Sequence, residues 1–260
     1  MLIDSHVHLQ DIQSEKVRAS LLSRARGLMV GKFVCNATRP EDWPLVRDIA
    51  RGDDRVVPFY GVHPWFADKV ATGWDAELER FLSVPGAGIG EIGLDRIKSE
   101  INFARQTEIF HRQIEIAGRL ARPFAIHCAR AGSDILGILK RDLAPRQRFM
   151  VHSYQGSPEM LRSFLDLGAF ISFSWKILSR GTEETMDLVR QIPLDRLLLE
   201  TDFPYTQPGK LSPEANVEDY FECLVRIYAL AAQTKGIAEE KLQDAVWKNG
   251  TVFLSGTAAR

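Results

Sequence analysis

The chain has 260 residues, of which 45% are hydrophobic and 26% are charged, and its formal net charge is −1. This composition is typical of a globular protein with a large core. It disfavours proteins that hold long duplex DNA mainly by neutralising phosphates, because such proteins are usually basic. A single α/β barrel needs about 250 residues, so the simplest prediction is one domain, which would span residues 1–260.

The cysteines and the N-terminal stretch bear on the location of the protein. Cys35, Cys128 and Cys223 form no CxxC pair. They favour free thiols in a reducing compartment over a disulfide framework or a structural zinc site. No basic region precedes an apolar run at the N-terminus, and no apolar segment approaches the about 20 residues that span a bilayer. We therefore expect a cytoplasmic protein that does not enter the membrane, and the sequence leaves its oligomeric state open.

Eight short β-rich runs recur along the chain, with helical patterns between them. The runs cover residues 2–9, 32–38, 56–64, 86–95, 123–129, 148–156, 168–174 and 196–204. Strands that alternate with helices indicate parallel βαβ units, and eight such units indicate a closed barrel more readily than an open sheet. The sequence therefore predicts the α/β class and a (β/α)8 TIM barrel.

The helical patterns support this organisation. In residues 103–121 the apolar side chains recur at helical spacing. Ser157 can cap a helix over residues 157–167, with Pro158 in its first turn. Residues 212–236 and 237–254 follow the eighth run. These last two patterns predict two extra C-terminal helices.

The first run, which contains IDSHVHL, carries two histidines one residue apart. Successive side chains of a strand point to opposite faces, so His6 and His8 share one face, with Asp4 behind them. Such a pair can hold one metal ion. It can also consist of two half-buried histidines that are bonded to backbone carbonyls. The positions of the other titratable residues distinguish these alternatives.

Most of the chemically active side chains fall at the C-terminal ends of the predicted strands, where a barrel carries its active site. They are His6, His8, His63, Glu91, His127, His152 and Asp202. Glu91 and Asp202 lie within apolar runs, where an unpaired charge is costly and a metal ion would remove the cost. The joint placement favours a metal centre over separately satisfied core residues.

The number of ligands predicts how many ions the centre holds. Four histidines and two carboxylates are too many for one tetrahedral zinc site, but they suit two divalent ions about 3.5–4 Å apart. We expect His6, His8 and Asp202 to bind one ion, His127 and His152 to bind the other, and Glu91 to bridge them. These ligands suit zinc, manganese, cobalt or iron, and weaker occupancy by magnesium is compatible with them.

The motifs that contain these residues resemble, in order, those of the TatD-like metal-dependent hydrolases, which are amidohydrolase-type barrels. The motifs are DSHVHL, GVHP, GEIGLD, AIH, HSYQGS, LLLETDFPY and NGTVFL. The resemblance runs nearly end to end and implies the same six ligands. Characterised members of the family include metal-dependent deoxyribonucleases. In the last motif, Asn249 and Phe253 match the family signature, and their place on a terminal helix predicts a structural role.

Two motifs depart from the family pattern. The family's deoxyribonucleases often show HSRDA after the fifth strand, whereas this chain has HCARA, which displaces the arginine to Arg130 and removes the acid. The sixth-strand motif, commonly HCFSG, is HSYQG here. The sequence therefore predicts an intact metal site with altered substrate contacts.

The expected mechanism assigns a role to each carboxylate. Divalent ions lower the pKa of a bound water, which then attacks phosphorus or a carbonyl carbon. Asp202 would orient this water and take its proton, and loss of Glu91 or Asp202 should abolish activity. His63 would contact the scissile group or protonate the leaving oxygen, or it is a loop histidine bonded to backbone. Glu200 and Asp4 would support the ligands from behind, although Asp4 can equally pair with a basic or backbone donor below the site.

Other residues near the strand ends are candidates for substrate binding. Arg96, Arg130, Lys176 and Arg180 would hold phosphate, or they are solvated loop charges. Tyr154 belongs to a group of aromatic residues that stack on a base or pack the loops over the barrel. The group also contains Trp65, Phe66, Trp175, Phe203 and Tyr205.

Three functions are consistent with the sequence. The first is hydrolysis of phosphodiester bonds in DNA ends or short single-stranded DNA by a centre of two divalent ions. The second is hydrolysis of a small-molecule phosphoester, lactone or amide by the same centre, because barrels change substrate by loop replacement. The displaced arginine favours this second function somewhat. The third is a non-catalytic binding protein, against which the retention of all six ligands argues.

Overall fold

The computed structural model describes residues 1–176, 182–205 and 217–255, in which strands and helices alternate along the chain. The strands β1 to β8 are Leu2–Val7, Val30–Asn36, Val56–Tyr60, Gly88–Asp95, Phe124–Ala129, Phe149–Val151, Phe170–Phe173 and Leu197–Leu199. The α-helices α1 to α9 are Glu15–Ala25, Trp43–Gly52, Trp74–Leu82, Phe103–Arg119, Gly132–Asp142, Pro158–Asp166, Glu183–Gln191, Val217–Lys235 and Glu239–Leu254.

The eight strands form one parallel sheet in the order of the chain, from β1 to β8. Backbone hydrogen bonds then join the two edges of this sheet. The amide of Asp202, beyond β8, donates to the carbonyl of His6 at 3.0 Å, and the amide of His8 donates to the carbonyl of Phe203 at 2.8 Å. The predicted (β/α)8 barrel is therefore confirmed, and α8 and α9 follow β8 as expected.

Some of the helices begin where a side chain caps their first amides. The side chain of Ser157 accepts a hydrogen bond from the amide of Met160 at the start of α6. The side chain of Asn102 accepts from the amides of Ala104 and Arg105 at the start of α4. Such caps satisfy backbone donors that have no partner within the helix. None of the helices in the described ranges is long and apolar enough to cross a membrane.

The last helix, α9, closes the N-terminal end of the barrel. The Asn249 side chain donates hydrogen bonds to the carbonyls of Leu194 and Leu197, each at 2.8 Å. The ring of Phe253 lies 5.8 Å from that of Phe59 and 5.9 Å from that of Phe170, between strands on different sides of the barrel. Both residues therefore have the structural role expected from their position, and the other end of the barrel carries the functional residues.

Several strands end earlier than the β-rich runs predict, and the difference is largest for β3, β6 and β8. The runs at 56–64, 148–156 and 196–204 become strands that stop at Tyr60, Val151 and Leu199. Ser153 and Asp202 follow β6 and β8 with φ angles of 45° and 58°. This left-handed conformation ends the extended backbone. The polar residues that follow the paired residues of β6 and β8 therefore turn into the mouth of the barrel.

Candidate metal centre

The two histidines of the first run meet at their ring nitrogens. Nε2 of His6 lies 3.2 Å from Nε2 of His8, and both side chains are buried. Nδ1 of His8 lies 2.7 Å from the carbonyl oxygen of Asn36, which can only accept a hydrogen bond. The proton of neutral His8 is therefore on Nδ1, so that the lone pair of Nε2 points into the site, as metal binding requires.

The buried carboxylate of Glu91 lies at the centre of the site, and its two oxygens face different histidines. Oε2 lies 3.3 Å from Nε2 of His6 and 3.5 Å from Nε2 of His8. Oε1 lies 2.8 Å from Nδ1 of His127 and 2.8 Å from Nε2 of His152. The two oxygens thus face different sets of histidines, and Nε2 of His63 also lies 3.4 Å from Oε1.

The local sequence GEIGLD places Glu91 in this position. The pairing register of β4 with β5 shifts between Ile89 and Ile92, and the amide of Glu91 donates instead to the carbonyl of Ala37 at 2.7 Å. A Cβ atom on Gly93 would lie 2.0 Å from the carbonyl oxygen of His127. Gly93 also has a φ angle of 147°. Glycine is therefore required where β4 approaches the strand that carries His127.

Asp202 lies on the side of the site that contains His6 and His8. Its Oδ1 lies 3.4 Å from Nε2 of His8 and 4.0 Å from Nε2 of His6. In the described ranges, three overlapping groups have ligand atoms within 4.8 Å of one another. They are His6 with His152 and Asp202, His6 with His8 and Glu91, and His63 with Glu91 and His127. The structure thus brings all six expected ligands to one place.

Further polar residues hold two of these histidines from behind. Nδ1 of His152 lies 3.1 Å from Oε1 of Glu200, and Ser172 donates to the other oxygen of Glu200. Nε2 of His127 lies 3.3 Å from Oδ2 of Asp95, which also accepts from the indole of Trp65. Carboxylates in this position fix the orientation of a ligand imidazole and raise its basicity.

The charges of the site are coupled. Burial opposes the charged form of His8, but Asp202 and Glu91 raise its pKa to about 9. The pKa of His152 is raised in the same way, against burial, by Glu91 and Glu200. Burial alone would raise the pKa of Glu91, but the surrounding histidines hold it well below its usual value. Without an ion, the carboxylates are therefore neutralised by protons on the imidazoles.

The side chains fit a centre for divalent metal ions. Imidazole nitrogens together with carboxylate oxygens are the donors that zinc, manganese, cobalt and iron prefer. These donors converge in a buried space where unpaired carboxylates would be costly. An ion there would replace the protons that the histidines otherwise carry.

His63 differs from the other histidines in its hydrogen bonds. Its Nδ1 accepts from the backbone amide of Trp65 at 3.1 Å, so the proton of neutral His63 is on Nε2. Nε2 lies 3.4 Å from Oε1 of Glu91. Burial lowers the pKa of His63 to about 4, so the ring is neutral near pH 7. His63 therefore presents an N–H donor to the site, and it is also bonded to backbone as the alternative interpretation expected.

Asp4 lies below the site rather than against a ligand ring. Its oxygens accept from the amide of Thr201 at 3.0 Å and from the hydroxyl of Thr201 at 2.6 Å. Burial raises its pKa to about 7. Asp4 thus joins the strand that carries His6 and His8 to the segment between Glu200 and Asp202.

The expected substrate residues are more widely distributed. Arg96 forms two hydrogen bonds to Asp134, at 2.8 and 2.9 Å, and stacks on Phe103. Arg130 is exposed just after β5, with a φ angle of 51°. Tyr154 is buried and donates its hydroxyl to the carbonyl of Ser157 at 2.8 Å. Arg180 lies outside the described residues.

Lys176 is the expected phosphate residue that the structure places at the centre, with Nζ 3.8 Å from Oδ2 of Asp202. Two other contributors were missed by the reasoning from sequence. Asp95 lies in the quoted motif GEIGLD, and its acidic side chain was the available signal. The carbonyl of Asn36 left no signal, because a backbone group is the same in every residue.

Comparisons with known proteins identify the family of this chain. The family model for TatD related DNase matches residues 3–255. YcfH of Escherichia coli strain K12, named an uncharacterized metal-dependent hydrolase, is 33% identical over 257 residues, which cover 95% of this chain and 93% of that protein. A protein of Erwinia tasmaniensis named 3'-5' ssDNA/RNA exonuclease TatD is 31% identical over 215 residues, which cover 82% of this chain and 83% of that protein.

A solved structure gives the same result. The crystal structure of YJJV, a TatD homolog from Escherichia coli K12, superposes with a TM-score of 0.87 at 26% identity, over 97% of each chain. The resemblance found in the sequence motifs is thus confirmed by a family match, by relatives and by the fold. The chain belongs to the TatD family of metal-dependent hydrolases.

Proposed function

We propose that the protein hydrolyses phosphodiester bonds at the ends of DNA or in short single-stranded DNA, with two divalent ions bound in the barrel mouth. The observation that carries the proposal is the position of Glu91, because its two oxygens face different sets of histidines. A carboxylate between two sets of ligands is what a pair of bridged ions requires. The Erwinia relative that is named an exonuclease supports a nucleic-acid substrate.

The proposed ligands are those expected from the sequence. His6, His8 and Asp202 would hold one ion, His127 and His152 the other, and Glu91 both. Ions in such a centre lower the pKa of a bound water and stabilise charge that develops on the attacked group. Zinc, manganese, cobalt, iron and magnesium are the candidates. Three free cysteines support a cytoplasmic location for this enzyme.

Two side chains would act directly on the reactants. Asp202, whose pKa is lowered to about 2 by His8 and Lys176 against the effect of burial, is ionised at neutral pH. It would orient the attacking water and accept its proton. His63 would donate a hydrogen bond from Nε2 to an oxygen of the scissile group, because its Nδ1 is already an acceptor. Glu200 and Asp95 would hold His152 and His127 in place.

The experiment uses single-stranded DNA labelled at the 3′ or the 5′ end and bis(p-nitrophenyl) phosphate. Protein stripped of metal is assayed with added Mg²⁺, Mn²⁺, Co²⁺ or Zn²⁺, and bound metal is counted by mass spectrometry. We expect metal-dependent shortening of the DNA and two ions per chain. Glu91→Ala and Asp202→Ala should abolish the activity, whereas Glu108→Ala, which removes an exposed acid from α4, should not.

The outcomes separate the candidate functions. Release of the 3′ label before the 5′-labelled strand is cut internally would identify an exonuclease that starts at the 3′ end. Metal-dependent cleavage of bis(p-nitrophenyl) phosphate with intact DNA would reject the nuclease proposal and favour a small-molecule phosphoester. Full activity in Glu91→Ala would reject the proposed centre.

A further inference from the structure

A lysine lies at the edge of the centre, on the segment that follows β7. Nζ of Lys176 lies 3.8 Å from Oδ2 of Asp202, and the side chain is 19% exposed. Among the described residues, no other lysine or arginine has its charged nitrogen within 4.0 Å of a proposed ligand carboxylate. The ammonium group therefore faces the place where Asp202 meets the reactants.

Two buried serines fix the position of this ammonium group. Lys176 donates a hydrogen bond from Nζ to the hydroxyl of Ser153 at 3.0 Å. The Ser153 hydroxyl in turn lies 2.8 Å from that of Ser174. Ser153 directly follows the ligand His152 and adopts a left-handed conformation with φ of 45°. The lysine is thus anchored on the same turn that carries a ligand.

Lys176 also lines a cavity, whose described lining residues include Ser153, the neighbour of His152, but none of the proposed ligands. The cavity has a volume of about 550 Å³, and Ser153, Ser174 and Lys176 line it. Farther along the chain, Thr182, Thr185 and two acidic residues, Glu184 and Asp187, also line it. A volume of this size lies within the range of small-molecule sites. Lys176 thus contacts Asp202 and also borders a space that a substrate group can enter.

The charge of Lys176 bears on which substrates the centre would bind. Its ammonium group adds a positive charge beside Asp202, where the reactants would lie. A cation in that position attracts an anionic substrate group more strongly than a neutral one. A phosphate ester supplies charged oxygens that a flexible ammonium group binds well, whereas a neutral amide or lactone does not.

We propose that Lys176 is a specificity-determining residue that binds a non-bridging phosphate oxygen of the substrate, so that the centre favours phosphate esters over neutral carbonyl substrates. This inference rests on the proposed function. The phosphate oxygen would take the place of Asp202 as the partner of Nζ, and the hydroxyl of Ser153 would keep the ammonium group at the cavity wall.

The test compares Lys176→Met with Lys176→Arg and with Lys98→Met, which removes another cation near the mouth. Lys98 lies over the ring of Trp65 at 5.0 Å and touches no proposed ligand. The kinetic parameters kcat and KM are measured for bis(p-nitrophenyl) phosphate and for the neutral ester p-nitrophenyl acetate. Binding of inorganic phosphate to the metal-loaded proteins is measured by calorimetry, together with metal content.

We expect Lys176→Met to lower kcat/KM for the phosphate diester and to weaken phosphate binding by about 10- to 100-fold, because a hydrogen bond to a charged group is lost. Cleavage of the neutral ester should change much less than cleavage of the phosphate diester, and the metal content should stay as in the wild type. Lys176→Arg should recover part of the loss, and Lys98→Met should behave as the wild type.

Two results would overturn the inference. The first is unchanged phosphate binding in Lys176→Met. The second is an equal loss for both esters with less bound metal, which would mean that Lys176 only holds Asp202. The proposed function fails if the wild type cleaves no phosphodiester, which is a different result. Even in that case, the binding of inorganic phosphate to the wild type and to Lys176→Met shows whether Lys176 binds phosphate.

Discussion

At the scale of single residues, the site depends on where protons and charges reside. Glu91 is buried among histidines that hold its pKa well below its usual value, so it is ionised in the folded chain. The ring of His6 stacks on that of His152 with centroids 4.0 Å apart, and both rings approach this one carboxylate. The negative charge of Glu91 therefore holds together imidazoles that would otherwise repel when protonated.

Substitution of Glu91 by glutamine tests this charge with almost no change in shape. We expect Glu91→Gln to bind fewer than two ions and to lose at least about 100-fold in activity, because an amide cannot bridge two cations. Metal counting and the DNA assay measure both effects. The same substitution at an exposed residue, Glu108→Gln, serves as the control. Two tightly bound ions in Glu91→Gln would contradict the bridging role of Glu91.

Asp95 offers a test of a residue that acts through a ligand. In Asp95→Asn the carboxylate that accepts from Trp65 and lies 3.3 Å from Nε2 of His127 becomes a neutral amide. We expect metal affinity to fall by about 10- to 100-fold, as for other carboxylates behind ligand histidines. Titration of the metal-free protein with metal, followed by calorimetry, measures the affinity. Asp134→Asn, on the half-buried partner of Arg96, should leave the affinity unchanged.

The site residues differ in how far the sequence can predict them. His6, His8 and Glu91 are predictable because an ionisable group in an apolar strand needs a partner. Asp95 and Lys176 are harder, because an acid or a base after a strand is usually solvated. The donor role of His63 depends on a backbone amide two residues away, and no side-chain pattern encodes it.

At the scale of elements, the strand ends determine which side chains reach the mouth. Residues with positive φ follow three strands, and they are Arg130, Ser153 and Asp202. The sequence predicts the strands from their apolar runs, but it extends β6 and β8 into these turns. The spacing of apolar residues does not show which residue other than glycine adopts a positive φ angle. The ends of these strands therefore could not be predicted from that spacing.

Gly93 provides a prediction for strand β4. A methyl group in Gly93→Ala would meet the carbonyl oxygen of His127 at 2.0 Å. We expect a loss of about 1–3 kcal/mol in the free energy of unfolding, because the φ of 147° also disfavours alanine. Weaker metal binding should accompany it, since His127 must move. Urea unfolding measures the stability.

The chain contains a matched control for this exchange. Gly137 lies in α5, and a Cβ atom there would have no neighbour within 4 Å. Gly137→Ala should therefore stabilise the protein by about 0.5–1 kcal/mol, through the helix propensity of alanine. Equal effects of the two exchanges would mean that the close approach of β4 to His127 is unimportant.

At the scale of the whole molecule, the free energy of unfolding and the affinity for metal both depend on whether the site histidines are protonated. In the absence of ions, the pKa values of His8 and His152 lie above the unfolded value of about 6.5. Their protonation therefore stabilises the ion-free fold fully below about pH 6.5. This contribution is lost as the pH rises through about 9, the folded pKa of His8. Ion binding has the opposite dependence, because it requires neutral imidazoles.

The expected outcome is a difference in Tm that widens with pH. We expect metal-loaded protein to exceed EDTA-treated protein in Tm by more at pH 9 than at pH 6.5, with an increase of at least about 3 °C, or roughly 1 kcal/mol. Differential scanning fluorimetry at both pH values measures the difference. A difference that is equal or larger at pH 6.5 would mean that the site histidines are not protonated in the ion-free protein.

The overall architecture was the most predictable level. Eight apolar runs separated by amphipathic patterns predict a parallel barrel, since each unit buries a strand under a helix. The closure of β8 against β1 and the insertion of Phe253 into the base depend on contacts between the two ends of the chain. No local pattern reports contacts at such separations.

The link between Asp4 and Thr201 spans 197 positions and has a consequence for biosynthesis. Synthesis makes His6 and His8 before Asp202, so a growing chain that has not reached β8 has these imidazoles without the carboxylate of Asp202. Because β8 closes the barrel against β1, we expect the complete set of proposed ligands to assemble only after β8 has been made. We expect a stalled chain that ends at residue 196 to bind metal no better than one that carries His6→Ala and His8→Ala.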